Sequence, residues 1–224
     1  MLSLLRLHKF LGPFLFFQRN DILIGMRVTK IGHSCLVVET GGIRIMTDPG
    51  RYSAAQNDVE NIHAVIVTHE HPDHLDLDSL EKVRERNPMV RVICNKGVGA
   101  ILHSAGVSCE IVEDGERVEI QGVPIEGFGK DHAFICDGAD LVINTGYLIN
   151  SILYHPGDAL FVPPKKVIAL ALPVCAPWVK TSEVIEFAKQ IKPRIVFPIH
   201  DGFLKFGGPF YATPERFLRP LDIH

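Results

Sequence analysis

The sequence has few cysteines, and they follow no pattern. Five cysteines are spread over 224 residues, and no C-x-x-C pair occurs. They are Cys35, Cys94, Cys109, Cys136 and Cys175. An odd number without regular spacing argues against a disulfide scaffold. We therefore predict reduced, mostly buried thiols and a cytoplasmic location.

An excess of positive charge is also missing. The formal net charge is −3, the sequence pI is about 6.4, and no dense run of Lys and Arg occurs. A surface that follows the phosphates of a nucleic acid needs such a run. We therefore expect a small-molecule substrate and no nucleic-acid partner, and self-association into a homo-oligomer stays open.

No hydrophobic run approaches the ~18–20 residues that span a bilayer. The apolar stretch at 11–17 follows three basic residues like a signal peptide, but it contains Gly and Pro, and no small-x-small cleavage site follows it. We expect no membrane association. We interpret residues 1–25 as an N-terminal extension upstream of a native start at Met26, and residues 26–224 as a single domain.

Hydrophobic periodicity predicts strands and helices in both halves of the chain. Strands are predicted at 27–31, 35–39, 43–47, 64–67, 90–93, several positions within 109–128, an antiparallel pair at 141–144 and 151–154, 167–172 and 195–197. Helices are predicted after Asp76 or Asp78 and at 97–105 and 183–191. These elements indicate an α/β sandwich, with loops at 51–60, 173–180 and 203–211 forming the walls of a pocket. We expect the single tryptophan, Trp178, to serve packing.

The chemistry is concentrated in the stretch Thr68-His69-Glu70-His71-Pro72-Asp73-His74, directly after the apolar run at 64–67. Four of its side chains can bind a metal ion: His69, His71, Asp73 and His74. Side chains alternate on an extended backbone, so His69 and His71 point the same way and can share one ion. Pro72 ends the extended run and lets Asp73 and His74 turn towards a neighbouring position.

As H-x-H-x-D-H, this stretch resembles the signature of the metallo-β-lactamase-fold hydrolases. The resemblance implies a four-layer αββα sandwich with a two-metal site between two mixed sheets. It also implies three further ligands in a fixed order, and they occur as His132, Asp158 and His200. His132 would complete a site with His69 and His71, His200 would join Asp73 and His74, and Asp158 would bridge the two ions.

A narrower resemblance involves Ile31-Gly32-His33-Ser34-Cys35, Asp48-Pro49 and Tyr154-His155-Pro156-Gly157-Asp158. These segments resemble the branch containing ascorbate-6-phosphate lactonase-like proteins and uncharacterised metal-dependent hydrolases. The resemblance implies that Asp48 supports the metal loop and that His33 lies in the pocket. For His33 the alternative is a turn residue that bonds the backbone.

Three further interpretations concern Asp131, Cys35 and the pair Leu75-Asp76. Asp131 is a candidate partner that would orient His132, and it also competes with it for the ligand position. A Cys35 nucleophile activated by His33 is an alternative with little support. Leu75-Asp76 replaces a small Gly pair found in classical β-lactamases, which disfavours β-lactam and thioester substrates.

Together these features predict an enzyme that carries two divalent metal ions. Zinc is favoured, and manganese or iron is the alternative. A bridging hydroxide would attack a lactone or ester bond of a small molecule, Asp73 or Asp158 would hold the proton, and His33 or His155 would protonate the leaving group. Two alternatives stay open: a phosphodiesterase or nuclease on the same fold, and a non-catalytic metal-binding domain.

Overall fold

The computed structural model describes residues 25–140 and 142–224, which form two mixed six-stranded sheets. The first sheet contains β1 (Met26–Gly32), β2 (Cys35–Thr40), β3 (Ile43–Thr47), β4 (Ala64–Val67), β5 (Arg91–Cys94) and β6 (Glu110–Ile111), in that order across the sheet. The second contains β7 (Arg117–Ile120), β8 (Val123–Phe128), β9 (Gly146–Ile149), β10 (Leu153–His155), β11 (Ala169–Pro173) and β12 (Ile195–Ile199), again in spatial sequence. In each sheet one half is antiparallel and the other parallel.

Four longer helices cover the outer faces. They are α1 (Leu77–Arg86), α2 (Lys96–Ser104), α3 (Thr181–Ile191) and α4 (Gly208–Leu218), and short 3-10 helices lie at Ala55–Asp58 and Arg219–Leu221. Asp76 begins α1 by accepting a hydrogen bond from the Ser79 N–H, and Asn95 begins α2 by accepting one from Val98. These caps satisfy backbone donors that have no partner within the helix. In the described part of the chain, no helix has the length and hydrophobicity needed to cross a bilayer.

The side chains of β4 show why the sheets form four layers. All four are buried, and they alternate between two separate apolar clusters. Ala64 and Ile66 face the second sheet, where they join Ile125 and Tyr147, whereas Val65 and Val67 face α1 and α2. A third cluster packs the outer face of the second sheet against α3 and α4. The protein is therefore an α/β four-layer αββα sandwich, as predicted.

The predicted antiparallel pair at 141–144 and 151–154 is wrong in register. The observed pair is β9 with β10, in which Leu153 lies opposite Ile149. Leu141 lies outside the described residues. Asn144 is not part of a strand, and its side chain bonds the backbone of the loop after β10. Helix α4 was not predicted, and its first residues fall in the loop predicted at 203–211.

All five cysteines are free thiols, as predicted, but the expectation that most are buried is wrong. Only Cys35 and Cys94 are buried, whereas Cys136 is exposed. Residues 1–24 of the proposed N-terminal extension lie outside the described residues.

Candidate metal centre

Strand β4 ends at Val67 and leads directly into the histidine-rich stretch. From there the chain divides its side chains between two groups of possible metal ligands. The first group is His69, His71, His132 and Asp158, and the second is His33, Asp73, His74 and His200. Within each group the ligand atoms all lie within 4.8 Å of one another.

The first group combines two neighbouring imidazoles with residues from the second sheet. Nε2 of His69 and Nδ1 of His71 are 3.1 Å apart, so both rings turn a nitrogen towards one position. His132 follows β8, and its Nε2 lies 3.4 Å from Asp158 Oδ2. Three imidazoles and a carboxylate are a donor set that suits a zinc-type ion.

The second group is built where Asp73 and His74 meet the end of β12. His200 follows β12 directly, and its Nε2 lies 3.5 Å from Asp73 Oδ2. His74 Nε2 lies 3.7 Å from the same oxygen, and His33 Nε2 lies 3.0 Å from it. The turn at Pro72 thus brings Asp73 and His74 to a second position, in the way the sequence suggested.

Asp158 connects the two groups through its two oxygens. Oδ1 lies 3.0 Å from His74 Nε2, and Oδ2 lies 2.9 Å from His200 Nε2, both in the second group. The same Oδ2 faces His132 and His69 of the first group at 3.4 and 3.9 Å. This carboxylate is therefore positioned to contact two ions at once.

The nitrogen and oxygen atoms at the centre are better suited to coordinate divalent ions than to form hydrogen bonds with one another. His74 Nε2, His132 Nε2, His200 Nε2 and Asp158 Oδ1 are buried and have no hydrogen-bond partner among the described residues. Although Asp158 Oδ1 is only 3.0 Å from His74 Nε2, these atoms do not meet with hydrogen-bond geometry. Buried polar atoms without partners are costly, and lone pairs that converge on a common point are satisfied by cations.

Contacts behind the ligands fix which nitrogen of each ring faces the centre. Nδ1–H of His74 donates to Asp48 Oδ2 at 2.8 Å, and that of His200 donates to the Cys175 carbonyl at 2.7 Å. His132 donates through Nδ1 to the Ala133 carbonyl at 2.6 Å. Each of these bonds leaves Nε2 as the free donor to a metal.

This arrangement corrects the prediction for Asp131. Its side chain is exposed, and its backbone forms an isolated bridge with Ile143. A carbonyl one residue along the chain orients His132, so the carboxylate of Asp131 is not needed. Backbone partners of this kind leave no signal in a sequence.

Asp48 holds the beginning of the metal loop. It is fully buried, and its two oxygens accept hydrogen bonds from the Thr68 N–H and hydroxyl at 2.8 and 2.9 Å as well as from His74. Gly50, two residues later, lies so close to the loop that an added Cβ would sit 1.8 Å from the Asp73 carbonyl oxygen. The turn after β3 therefore acts as a rigid support for the loop.

Three residues of the centre have a left-handed backbone that non-glycine residues adopt rarely. The φ angles are +51° for His33, +40° for Asp48 and +59° for His200. Strain of this kind costs on the order of 1–3 kcal/mol per residue and persists only where the surroundings enforce it. At His200 the enforcing bonds are visible, because its N–H donates to the His33 carbonyl while its ring is held by Cys175.

The protonation of the side chains follows from burial and from their neighbours. Burial lowers the pKa of His69 and of His71, so both rings are neutral and carry free lone pairs near pH 7. Burial opposes charge on Asp158 as well, but the surrounding imidazoles outweigh it and hold the pKa well below its usual range. For His74 and His200, the nearby carboxylates outweigh burial and raise the pKa, to about 9 in His200.

The predicted catalytic role of His155 and the alternative of a Cys35 nucleophile are not supported by the structure. His155 is buried, Nε2–H donates to the Ser34 carbonyl at 3.0 Å, and Nδ1 accepts from the Gly157 N–H at 3.2 Å. With both nitrogens engaged, His155 supports the fold and is not positioned to protonate a leaving group. Cys35 is buried too, and burial raises the pKa of its thiol, which disfavours a thiolate nucleophile.

Trp178 belongs to the site and not to general packing, contrary to expectation. Its Nε1–H donates to Asp158 Oδ2 at 3.0 Å, and its ring lies 5.9 Å from that of His132 and 6.0 Å from that of His200. Asn95 and Asn144 were also missed. Asn95 donates to the carbonyls of Thr68 and Ile143, and Asn144 accepts from the Asp158 N–H. Each holds a ligand-bearing loop in place.

Comparisons with known proteins show the family to which this chain belongs. The family described as the Beta-lactamase superfamily domain matches residues 27–200. Protein Rv0786c of Mycobacterium tuberculosis is 34% identical over 184 residues, which covers 80% of this chain and 85% of the relative. The UPF0173 metal-dependent hydrolase MK1542 of Methanopyrus kandleri is 27% identical over 219 residues, covering 88% and 92% of the two chains.

Two more distant similarities concern a lipid hydrolase and a solved structure. The N-acyl-phosphatidylethanolamine-hydrolyzing phospholipase D 1 of Caenorhabditis elegans is 24% identical over 252 residues, covering 88% of this chain and 68% of its own. The structure of Igni18, a metallo hydrolase from Ignicoccus hospitalis, superposes with a TM-score of 0.69 at 20% identity, covering 89% and 94% of the two chains. At that identity the superposition supports the fold alone.

Proposed function

Because this chain belongs to the beta-lactamase superfamily and is a metal-dependent hydrolase, we propose that it holds two divalent ions and hydrolyses a carboxylic ester or lactone of a small molecule. The observation that carries the proposal is the carboxylate of Asp158, whose two oxygens contact both ligand groups. Four ligands are enough for one tetrahedral ion. The two groups contain seven candidate ligands besides His33, which is more than one such ion can use and calls for a second ion.

When bound, two divalent ions lower the pKa of water towards neutrality and polarise the oxygen of a scissile bond. The side chains of this protein supply the rest. His69 and His71 are neutral donors on one side. Asp73 and Asp158 are ionised, and they are the acceptors proposed for the proton released from water. Zinc is favoured by the number of imidazoles, with manganese or iron as the alternative.

In this proposal, the Trp178 indole fixes the orientation of the Asp158 carboxylate. Its N–H donates to the same Oδ2 that faces His200 and His132. A carboxylate held in this way keeps its geometry when one of its oxygens takes up a proton.

The charges around the centre favour a neutral scissile group. Among residues 25–140 and 142–224, no Lys or Arg forms an ion pair with a member of either ligand group. An anionic phosphodiester is commonly held by such side chains in addition to metal ions. An ester or lactone carbonyl needs no such partner.

A phosphodiester is the second candidate, because a relative that covers most of this chain is named as a phospholipase. Metal ions alone can neutralise one phosphate charge, so the same centre could cleave a phosphodiester.

The test is a screen of metal-replete protein on p-nitrophenyl esters, a γ- or δ-lactone panel and bis-p-nitrophenyl phosphate. We expect hydrolysis of esters or lactones that a chelator abolishes and added Zn²⁺ restores. A His69→Ala variant should be inactive, whereas His103→Ala, at an exposed position in the last turn of α2, should match the wild type. Hydrolysis of the phosphodiester alone would favour the second candidate, and no hydrolysis of any compound would refute the proposal.

A further inference from the structure

Two exposed aromatic side chains lie directly against the second ligand group. The ring centroid of Tyr52 is 5.1 Å from that of His33, and that of Phe203 is 5.6 Å from both His33 and His200. The two aromatic rings are themselves 6.2 Å apart. Tyr52 comes from the loop after β3 and Phe203 from the loop after β12, so two separate segments of the chain converge here.

These rings remain exposed despite their contacts with buried histidines. Tyr52 keeps 54% of its surface accessible and Phe203 keeps 46%. Trp178, which contacts His200 and His132, adds a third and half-buried ring at the same centre. We call Tyr52, Trp178 and Phe203 the aromatic rim. Apolar surface grouped beside a polar centre is typical of a ligand-binding site.

Of the cations closest to the aromatic rim along the chain, Arg51 and Lys205 have other partners, whereas Lys180 is exposed and forms no ion pair among the described residues. Arg51 Nε lies 3.3 Å from Asp76, and Lys205 Nζ lies 5.6 Å from the centre of the Phe206 ring. Lys30 is paired with Asp201 at 2.6 Å and also donates to the Pro198 carbonyl. In the described part of the chain, none of these cations contacts a side chain of the rim. The rim therefore offers apolar contact without a fixed positive charge.

We propose that the aromatic rim binds an uncharged, apolar group of the substrate next to the scissile bond, either an aromatic ring or an acyl chain of about four or more carbons. This inference rests on the hydrolase function proposed above and adds the substrate class. Each fully buried methylene contributes about 0.8 kcal/mol, which is close to a fourfold gain in affinity. With partial burial, four extra methylenes should give at least a tenfold gain.

The test uses hydroxamates, because their two oxygens bind divalent ions and their chain length can be varied. Trp178 is the single tryptophan of the protein, so its fluorescence reports binding at this centre without turnover. We expect zinc-loaded protein to bind hexanohydroxamate at least tenfold more tightly than acetohydroxamate. Succinic monohydroxamate, which carries a negative charge, should bind several-fold more weakly than butyrohydroxamate of the same length.

Variants separate the rim from general hydrophobicity. In Tyr52→Ala and in Phe203→Ala, the hexanoyl-to-acetyl ratio of affinities should fall below about three. Phe217→Ala is the matched control, since Phe217 is 51% exposed on α4 and should leave the ratio unchanged. Metal content is measured for each variant, so that a loss of ions is recognised.

Equal wild-type affinities for the two chain lengths would overturn the inference, as would a ratio that persists in both variants. Tighter binding of the succinic compound would overturn it as well. The ester and lactone screen is scored separately. A chain-length preference in binding without any hydrolysis would support the rim and refute the proposed reaction, whereas hydrolysis without a preference would do the reverse.

Discussion

The backbone N–H of Gly202 donates a hydrogen bond to Nδ1 of His33 over 3.0 Å. A backbone N–H can only donate, so Nδ1 must accept, and the single proton of the neutral ring stays on Nε2. Burial lowers the pKa of His33, which keeps the ring neutral near pH 7. Nε2–H therefore donates to Asp73 Oδ2, and we interpret His33 as a residue that positions a ligand carboxylate and not as a ligand.

Two substitutions at His33 test this interpretation. Gln can place an N–H near the position of Nε2, so His33→Gln should keep both ions and most of the metal affinity. His33→Leu removes the donor and should weaken binding of one ion by about 10- to 100-fold. Zinc affinities measured by competition with a coloured chelator decide the question. If Gln and Leu weaken binding equally, the tautomer argument is wrong.

Asp158→Asn tests the bridging position. In the proposed two-ion centre, the change would remove a negative charge between two dications, so one ion should be lost or bound weakly and turnover should fall by orders of magnitude. The fold should survive, as circular dichroism can verify. Asp131→Asn is the matched control, because Asp131 is exposed and should tolerate the change. Two retained ions and near-normal turnover in Asp158→Asn would mean that this carboxylate does not bridge.

The pH dependence of metal binding should differ between the two groups. In the metal-free protein, His74 and His200 have a raised pKa, about 9 for His200, and must lose a proton before they can bind an ion. His69 and His71 have a lowered pKa and are already neutral at pH 7. The affinity of the second group for a metal ion should therefore rise as the pH rises to about 9. The first group should keep its ion until the pH is lower.

Dialysis against buffered zinc followed by elemental analysis measures this difference. We expect about one ion per chain near pH 6 and two near pH 8.5. Simultaneous loss of both ions as the pH falls would show that the two groups do not titrate separately.

Gly50→Ala tests the close support of the metal loop. The added Cβ would lie 1.8 Å from the Asp73 carbonyl oxygen, so the loop must shift. Such overpacking typically lowers the free energy of unfolding by about 1–3 kcal/mol. We expect a lower Tm and weaker metal binding, measured by thermal unfolding with and without zinc. Gly208→Ala has open space around its Cβ and should leave both quantities unchanged.

Much of the fold could be predicted because its signals are local. The buried run at 64–67 and the cap at Asp76 each act through neighbouring residues. The strand at 146–149 was misplaced because Asn144 forms its bonds with residues of the next loop. The apolar residues on either side of Asn144 gave no indication that its side chain bonds the next loop.

Prediction of the site had the same limit. The ligands of the histidine-rich stretch are close in sequence, and the order of the remaining three followed from a resemblance. Trp178, His155 and Asp131 were misjudged because their roles depend on contacts with Asp158, Ser34 and solvent that only the fold creates. Residues that act through long-range contacts are therefore the ones that sequence patterns miss.

The number of ions per chain tests the two-metal centre most directly. Seven side chains besides His33 converge in two groups joined by Asp158, which is more than one tetrahedral ion can use. Purified protein loaded with excess metal at pH 8.5 and then desalted should contain two equivalents of divalent ion per chain by elemental analysis. One equivalent, or none, would contradict the two-metal centre.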